Sequence, residues 1–392
     1  MSLQNYRGFT RDAWLLVVYS FISWLGDNMA WFIFPFYLKS LGFDYTGIGI
    51  VFSLSTLAQA SVLFFSGPLG TRMGYKRAVL LGISLMLLGR FVQVMYPSIV
   101  MLALGGVLIG MGIAFESPSY MALLSGEVSD EKRHYLFSLS SATGTIGSAV
   151  GFLLAGFLPG YLSYREVFAL ALIILPIRFV LVLFVKSVLA NTDRRLNVNR
   201  KLLLRIGRFA LPSALIGLGA GVTIPYMGLY FNQRFGTSLE SIGWLFALQQ
   251  FIMGLGMFVL PMIADRLGSV RTIVSFNGSA SFLIAAMPFS PTFIVAAIIY
   301  IIRTILMNIV DPIWNAFMMG FFSKEERSTV MALNNLAWTV TYGIGQYIGG
   351  RLFDVSLTWP FLITASLYAL SMVVFWNFFS GTETKGYEPP SA

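Results

Sequence analysis

The sequence contains no cysteine and only one histidine among its 392 residues. A chain without cysteine forms no disulfide bonds and offers no thiolate to a metal, and a single imidazole cannot build a histidine-rich metal site. Charged residues are scarce as well: they make up 11% of the chain, whereas they form about a quarter of an ordinary soluble domain. So little charge excludes a soluble enzyme, a disordered chain and a small disulfide-bonded scaffold.

The sequence also lacks the short motifs of nucleotide-driven and hydrolytic chemistry. It has no Walker loop for ATP phosphates, no H-E-x-x-H zinc motif, and no G-x-S-x-G placed on a strand-to-helix turn. These absences disfavour a pump driven by ATP and an intramembrane hydrolase. We expect a protein that is not an enzyme, with no cofactor and no bound metal.

Long apolar runs are what the sequence has in abundance, since 57% of its residues are hydrophobic. A helix needs about 20 mostly apolar residues to cross a bilayer, and these runs lack the alternation that transmembrane strands require. We therefore predict an all-α polytopic membrane protein with twelve transmembrane helices, embedded in a lipid bilayer. The predicted spans are 12–39, 45–70, 77–96, 98–125, 134–159, 162–188, 205–235, 239–264, 271–289, 291–320, 327–354 and 357–380.

Lysine and arginine are distributed unevenly among the segments that connect these spans. With the N-terminus in the cytoplasm, 19 of the 26 basic residues fall in cytoplasmic segments, 4 in external segments and 3 within spans. An excess of basic residues marks the cytoplasmic side of membrane proteins. We therefore predict a plasma-membrane protein with both termini in the cytoplasm, and we do not interpret its net charge of +9 as a nucleic-acid-binding surface.

The two halves of the sequence repeat each other at a constant offset of 194 residues. One ungapped offset aligns spans two to five with spans eight to eleven, which makes a chance match a poor explanation. We predict two six-helix bundles in the same orientation: an N-terminal bundle at 1–188 and a C-terminal bundle with a short cytoplasmic tail at 205–392, joined by a basic cytoplasmic linker at 189–204. Matched residues include Gly42 and Gly236, Gly74 and Gly268, Pro118 and Pro312, and Arg133 and Arg327.

Between spans two and three, at 67–77, the chain reads GPLGTRMGYKR. This segment resembles the signature loop of major facilitator transporters, G-x-x-x-D-R-x-G-R-[RK], with Thr71 in place of the aspartate. The second copy, at 261–271, supplies Asp265 at that position, and the ETKG at 383–386 is similar to the tail of many family members. The resemblance implies the major facilitator fold of two pseudo-symmetric six-helix bundles, and is closest in character to the drug/proton antiporter branch.

By that resemblance, the two loop copies form a gate on the cytoplasmic face. Arg72 and Arg77 are expected to reach helix ends or acids in the outward-facing state, and Glu127 and Asp130 are candidate partners. The alternative interpretation is that these arginines only set the membrane topology. The predicted gate residues are Arg72, Gly74, Arg77, Asp265, Arg266, Gly268 and Arg271.

Six charged residues lie away from the ends of the predicted spans, where each costs on the order of 2.5–3.5 kcal/mol and therefore faces the interior of the bundle. The family resemblance implies that spans one, four, seven and ten line a central cavity, whereas spans three and six stand outside it. On that basis Arg90 and Arg178 are expected to play supporting roles. The predicted proton-coupling and substrate-cavity residues are Asp27, Asn28, Glu116, Arg303 and Asp311.

Each of these charges admits a functional and a structural interpretation. Asp27 has no partner evident from the sequence, so we expect its carboxylate to bind a proton or cation as the cavity opens to either side. Glu116 serves either the same function or a structural ion pair with Arg90 on the neighbouring span. Arg303 either binds an anionic substrate group or pairs with an acid, and Asp311 is expected two turns further along the same helix face.

The function that these features favour is secondary active transport of a small organic solute by alternating access, by a monomer coupled to protons. We expect export of amphipathic or cationic compounds; the alternatives are a proton-coupled symporter or a uniporter for an organic anion or a sugar. The glycines of span five resemble the antiporter motif of drug exporters but lack the proline expected after Gly147, which leaves the direction of transport open. The intact repeat and the charges within the membrane disfavour a receptor or scaffold that transports nothing.

Overall fold

The computed structural model describes residues 9–186, 200–256 and 267–382, and in these residues it contains helices and no strand. The predicted all-α class is therefore confirmed. The α-helices are α1 (Arg11–Ser40), α2 (Tyr45–Met73), α3 (Tyr75–Met95), α4 (Ile99–Gly126), α5 (Asp130–Phe157), α6 (Tyr164–Leu183), α7 (Arg200–Thr223), α8 (Met227–Phe235), α9 (Leu239–Gly256), α10 (Ser269–Ala286), α11 (Phe293–Ile309), α12 (Asp311–Gly320), α13 (Arg327–Val355) and α14 (Trp359–Phe379). Short 3-10 helices cover Leu158–Gly160, Ile224–Tyr226, Met287–Phe289 and Ser380–Thr382.

Ten helical segments of the described chain are long and apolar enough to cross a membrane. Two predicted spans are not among them: 239–264 continues beyond the described residues after α9, and 327–354 is the long helix α13. Asn334, Asn335 and Gln346 make α13 more polar than its neighbours, which suits a helix that hydrogen-bonds to other helices. The multi-pass helical architecture thus agrees with the prediction, and the count of twelve spans depends on these two segments.

The predicted repeat is visible in the turns between helices. Among the described residues, those with positive φ are glycines that fall into two pairs separated by 194 positions. Gly42 and Gly236 have φ angles of 88° and 65°, and Gly74 and Gly268 have φ angles of 86° and 82°. Only glycine enters this region of backbone conformation without steric cost. The two halves therefore turn at the same places in the same way.

One hydrogen bond at the joint between the fourth and fifth spans also repeats. Arg133, near the start of α5, donates from Nε to the Ser125 carbonyl near the end of α4, at 3.4 Å. Arg327, the first residue of α13, makes the equivalent bond of 3.2 Å to the Met319 carbonyl near the end of α12. Since donor and acceptor are both shifted by 194 residues, the same bond caps the same helix end in both halves.

Contacts between helices divide the chain into two compact units. Each unit is formed mainly by one half of the sequence. The exception is the segment that holds most of α9, which groups with the N-terminal half rather than with the bundle predicted at 205–392. The first unit consists of Met1–Arg194 with Thr237–Phe251, and the second of Arg195–Gly236 with Ile252–Ala392.

Small residues bring α9 against α5 within the first unit. A Cβ atom on Gly243 of α9 would lie 2.7 Å from the Phe152 carbonyl oxygen and 3.0 Å from the Cα of Gly156 on α5. Such close approach of two helix backbones requires small residues. One turn further along α9, the Phe246 ring packs against Phe152 and Trp31, at centroid distances of 5.5 and 6.3 Å. These contacts account for the grouping of α9 with the first unit.

Candidate functional site

A buried arginine joins three helices of the first unit. Arg178 of α6 donates from Nη1 to both carboxylate oxygens of Asp27 on α1, at 3.0 and 3.1 Å. Its Nη2 lies 3.2 Å from Oε1 of Glu116 on α4. One guanidinium is therefore shared by two carboxylates from different helices, which its planar set of donors allows.

Tyr19 of α1 holds the Glu116 end of this arrangement. Its hydroxyl donates to Glu116 Oε1 and lies 3.4 Å from Arg178 Nη2. Its ring faces the guanidinium, with 5.4 Å between Cζ and the ring centroid, and stacks on Tyr120 at 5.0 Å. The stacking orients the hydroxyl toward Glu116. We refer to Tyr19, Asp27, Glu116 and Arg178 together as the arginine network.

The members of the arginine network differ in their access to solvent. The side chain of Arg178 is 1% exposed and that of Glu116 is 11% exposed, whereas that of Asp27 is 39% exposed. A buried charge needs a compensating partner, and Arg178 has two. Asp27 is consequently the carboxylate of the network that is open to a proton or a cation from solution.

Two glycines let these helices approach closely enough for the network to form. A Cβ atom on Gly26 of α1 would lie 2.8 Å from Ile174 Cγ2 on α6. A Cβ atom on Gly82 of α3 would lie 2.8 Å from the Cβ of Glu116. Both distances are too short for a larger residue, so each glycine marks a tight helix crossing. Arg178 lies one turn beyond Ile174 and therefore faces α1 next to the Gly26 crossing.

An ion pair with Arg90, one of the two roles predicted for Glu116, is not observed. Arg90 is buried on α3, with its guanidinium carbon 5.4 Å from the ring centroid of Phe168. Within the described chain Arg90 has no ion-pair partner. That alternative is not observed because Glu116 faces α1 and α6, where Tyr19 and Arg178 contact its carboxylate.

Arg178, for which a supporting role is expected, pairs with two carboxylates, and it is the partner of Asp27 that was not evident from the sequence. The available signal was charge balance, since the middle parts of the first-half spans contain two acids and two bases. That balance indicates pairing but leaves the partners open, because the rotation of each helix about its axis decides which charges meet. Arg90 is the second base of that balance.

Asn28 belongs to a helix contact and not to the arginine network. Its Nδ2 donates to the Trp24 carbonyl one turn earlier, at 2.8 Å, and to Ser148 Oγ of α5, at 3.0 Å. Polar bonds of this kind between helices are common in membrane proteins. Asn28 therefore fixes α5 against α1 one residue away from Asp27, and its role in a substrate cavity stays a prediction.

The second unit also buries an arginine, but with different neighbours. Arg303 of α11 is 3% exposed, and its Nη2 donates to the hydroxyl of Tyr368 on α14, at 2.7 Å. The guanidinium carbon lies 5.4 Å from the centroid of the Tyr368 ring. Among the described residues no carboxylate lies within ion-pair distance of Arg303. Pairing with an acid, one of its two predicted roles, is thus not observed in that part of the chain.

Asp311 lies beyond an interruption in the helix that carries Arg303, and the expectation that the two share a helix face stays a prediction. The span predicted at 291–320 is interrupted, because α11 ends at Ile309 and α12 begins at Asp311. Pro312 follows at once, and proline has no N–H group for the hydrogen bond that would continue the helix. Asp311 is exposed whereas Arg303 is buried, so the two charges lie in different surroundings.

Arg72 and Arg77 are exposed at the turn between α2 and α3. Within the described chain neither forms a hydrogen bond or an ion pair. Glu127, one of their expected partners, instead accepts a bond of 2.8 Å from Thr10 Oγ1. The side chain of Asp130, the other expected partner, lies outside the described part. The role of the two arginines in a gate therefore stays a prediction.

The glycines of the two loop copies have a geometric role. Gly74 and Gly268 provide matched positive-φ turns immediately before α3 and α10, and Arg271 is exposed in the first turn of α10. The turn geometry of the two copies therefore agrees, while the gating contacts stay predictions. Outside the described residues lie Asp265, Arg266, the ETKG at 383–386 and most of the linker predicted at 189–204.

Comparison with known families gives a match over almost the whole chain. A family model described as Major Facilitator Superfamily matches residues 16–208 and again residues 209–392. The division between the two matches lies at the start of the second copy of the sequence repeat. Each half of the chain is thus similar to the same family model.

Individual relatives and a solved structure resemble the chain along most of its length. Multidrug resistance protein MdtG of Escherichia fergusonii is 24% identical, and the alignment covers 91% of this chain and 93% of that protein. Quinolone resistance protein NorA of Staphylococcus aureus is also 24% identical, over 90% of this chain and 93% of that protein. The crystal structure of nucleoside transporter NupG has a TM-score of 0.76 at 14% identity, over 97% of this chain and 100% of that chain. At that identity the structural likeness concerns the fold alone.

Proposed function

The chain belongs to the major facilitator superfamily of transporters, and we propose that it exports amphipathic or cationic organic compounds in exchange for protons. One observation carries this proposal: the Asp27 carboxylate is 39% exposed while it is bound by a fully buried arginine. The names of MdtG and NorA, which describe resistance to drugs, support an organic, drug-like substrate.

Asp27 can release Arg178 and bind another ligand because Arg178 keeps a second carboxylate partner, Glu116. A proton that binds Asp27 neutralises the carboxylate and weakens its two bonds to Arg178. Arg178 is then still compensated by Glu116, at 3.2 Å, and by the Tyr19 hydroxyl. Without Glu116 the same step would leave an unpaired cation in the interior, at a cost of about 3–5 kcal/mol.

A cationic compound competes with the proton for the same carboxylate. Since Asp27 carries one negative charge, it binds either a proton or the ammonium group of a substrate. Binding of one therefore favours release of the other, which is the thermodynamic basis of antiport. A proton gradient directed into the cell then drives the organic cation out of it.

We infer the direction from the distribution of basic residues, which favours a plasma-membrane protein with both termini in the cytoplasm. The turn with Arg72 and Arg77 then faces the cytoplasm, as does its second copy with Asp265 and Arg271. We propose that contacts of these two loops close the cytoplasmic side when the transporter faces outward. The protein carries out this cycle as a monomer.

Transport by reconstituted protein tests the role of Asp27 directly. Purified protein in liposomes with an imposed pH gradient is expected to move a fluorescent organic cation such as ethidium. Asp27→Asn keeps the size of the side chain and removes its charge, so we expect gradient-driven transport to fall at least about tenfold. Asp354→Asn removes an exposed acid near the end of α13 and serves as the matched control, with transport unchanged.

Three outcomes of this assay separate the candidate functions. Unchanged gradient-driven transport by the Asp27→Asn protein would rule out Asp27 as the coupling site. Counterflow of an organic anion or sugar that ignores the gradient would replace the proposal with a uniporter, and uptake together with protons would replace it with a symporter. A thermal-stability screen against drugs, sugars, amino acids and organic acids supplies the solutes to be assayed.

A further inference from the structure

The second unit contains a buried positive charge without a negative partner in the described chain. Arg303 is 3% exposed, and its observed hydrogen bond is with the neutral hydroxyl of Tyr368. An arginine does not lose its proton in proteins, so burial leaves the full charge in place. In the first unit, by contrast, the equally buried Arg178 contacts two carboxylates.

The carboxylates that the structure describes in the second unit lie elsewhere. Asp311 is exposed at the start of α12, and Glu326 pairs with Arg205 at 3.5 Å. Glu325 precedes α13, Asp354 lies in its last turn, and both are exposed. None of these acids forms an ion pair with the buried arginine. A negative charge from outside this set is needed to compensate it.

Arg303 and Tyr368 together present two donors that have no acceptor in the described residues. Arg303 Nε is buried and makes no hydrogen bond. The Tyr368 hydroxyl accepts the bond from Arg303 and keeps its own hydrogen to donate. Unpaired donors and an uncompensated cation are both unfavourable in an interior. An anion would complement this arrangement, because it carries a negative charge for the guanidinium and accepts hydrogen bonds from both donors.

The repeat shows that this pair is absent from the matched positions of the first half. At the offset of 194, Arg303 corresponds to Ile109 and Tyr368 corresponds to Ile174. Both positions are apolar in the first unit, where they need no compensation. The two polar residues therefore occur together where the matched helices of the other half have neither.

We propose that Arg303 and Tyr368 form a binding site for a singly charged anion, either a free ion such as chloride or the carboxylate group of an organic solute. The bound anion neutralises the guanidinium and accepts from Arg303 Nε and from the Tyr368 hydroxyl. The site is separate from Asp27 and does not depend on the proposed exchange of protons for cations. Its occupancy can therefore be measured on the purified protein without transport.

Thermal unfolding of the full chain in detergent tests the site. Sodium gluconate, a bulky hydrophilic salt, is replaced stepwise by sodium chloride or by sodium benzoate at constant ionic strength, and tryptophan fluorescence reports the melting temperature. We expect a saturable rise of the melting temperature with at least one of the two anions. A response to chloride identifies a site for a free ion, and a response to benzoate alone identifies a site for a solute carboxylate.

Three variants assign the response to the site. Arg303→Gln is expected to abolish the anion-dependent rise, and Tyr368→Phe, which keeps the charge and loses one donor, to weaken the apparent affinity about tenfold. Arg351→Gln is the matched control, because Arg351 also bonds a tyrosine hydroxyl, that of Tyr347 at 3.0 Å, but is exposed. Its response is expected to equal that of the wild type.

Three results would overturn the proposal. Absence of any anion dependence in the wild type would mean that the protein itself neutralises Arg303. An undiminished response in Arg303→Gln would mean that the anions act elsewhere. If Arg303→Gln does not fold, the wild-type titration and the anion affinity of Tyr368→Phe still test the proposal. An anion affinity in Tyr368→Phe equal to that of the wild type contradicts the site.

Discussion

The two units share the turns of a common repeat but not the charges that they bury. Both turn at matched glycines and cap the same helix end with an arginine. At the same offset, however, Glu116 corresponds to Val310 and Arg178 to Met372, while Arg303 corresponds to Ile109. A turn depends on a backbone conformation that glycine alone adopts readily, whereas a buried charge is gained or lost together with its partners.

The units also compensate their buried arginines differently. In the first unit two carboxylates and a tyrosine contact Arg178. One of the carboxylates can therefore bind another ligand while Arg178 keeps an ion-pair partner. In the described part of the second unit a tyrosine is the polar contact of Arg303. The first unit is thus suited to bind a positive ligand and the second to bind a negative one. Substitutions of residues that play corresponding roles in the two units test this contrast.

The largest effect is expected when Arg178 is removed. Arg178→Met leaves Glu116 buried without its cation, which costs about 3–5 kcal/mol, while the partly solvated Asp27 adds less. The triple variant that also carries Asp27→Asn and Glu116→Gln contains none of these charges and should recover most of the loss. Thermal unfolding in detergent measures both proteins. A triple variant no more stable than the single one would contradict compensation as the origin of the loss.

A smaller loss is expected from Tyr19→Phe, which removes the hydroxyl that donates to Glu116. A hydrogen bond to a charged group contributes about 1.5–3 kcal/mol. In the second unit Tyr368→Phe removes one hydrogen bond to a charged group, whereas Tyr19→Phe removes two, to Glu116 and to Arg178. In gluconate buffer Tyr368→Phe should therefore lower the stability by less. Equal losses in melting temperature would show that the two tyrosines serve their arginines alike.

Removing Arg303 is expected to change stability little when small anions are absent. Arg303→Met leaves no carboxylate behind, only the Tyr368 hydroxyl without its donor, so the change should stay within about 1 kcal/mol. The stability loss of Arg303→Met is compared with that of Arg178→Met in the same buffer, and the difference between the two losses tests the contrast between the units. A loss as large as that of Arg178→Met would reveal a hidden acidic partner of Arg303.

The smallest effects are expected where the units agree. Arg133→Gln and Arg327→Gln each remove the matched bond from an exposed guanidinium to a helix-end carbonyl, worth about 0.5 kcal/mol. Arg327 Nε also donates to the Phe322 carbonyl, at 3.4 Å, and this longer bond is expected to add little. Because the two matched bonds are equivalent, the shifts in melting temperature should match within error. A large difference between the two variants would show that the joint has diverged as the charges have.

Features that depend on backbone conformation could be predicted from the sequence. The glycine pairs at the offset of 194 are an example, because a repeated glycine marks a repeated requirement for positive φ. The matched prolines limit this reasoning: α4 continues through Pro118, whereas the corresponding helix of the second half is interrupted just before Pro312. A proline permits a break, and the packing around it decides whether the break occurs.

The partners of the buried charges could not be predicted. Pairing Arg90 with Glu116 followed from the adjacency of two spans, yet the rotation of α4 turns that carboxylate toward Tyr19 and Arg178. Sequence position gives the depth of a residue in the membrane, but the face of the helix on which it lies relative to non-neighbouring helices depends on packing. For the same reason the tyrosine partner of Arg303, 65 positions away, carried no signal.

The balance of charges in the first unit has a consequence for energetics across the membrane. The four in-membrane charges of that unit sum to zero: Asp27, Glu116, Arg90 and Arg178. A proton on Asp27 raises the sum to +1, and a singly charged organic cation at the same carboxylate does the same. Moving one elementary charge through 100 mV is worth about 2.3 kcal/mol, and in one-for-one exchange this contribution cancels between the outward and return steps. Export of a monovalent cation would then respond to the pH difference and be indifferent to membrane voltage, whereas a divalent cation would respond to both.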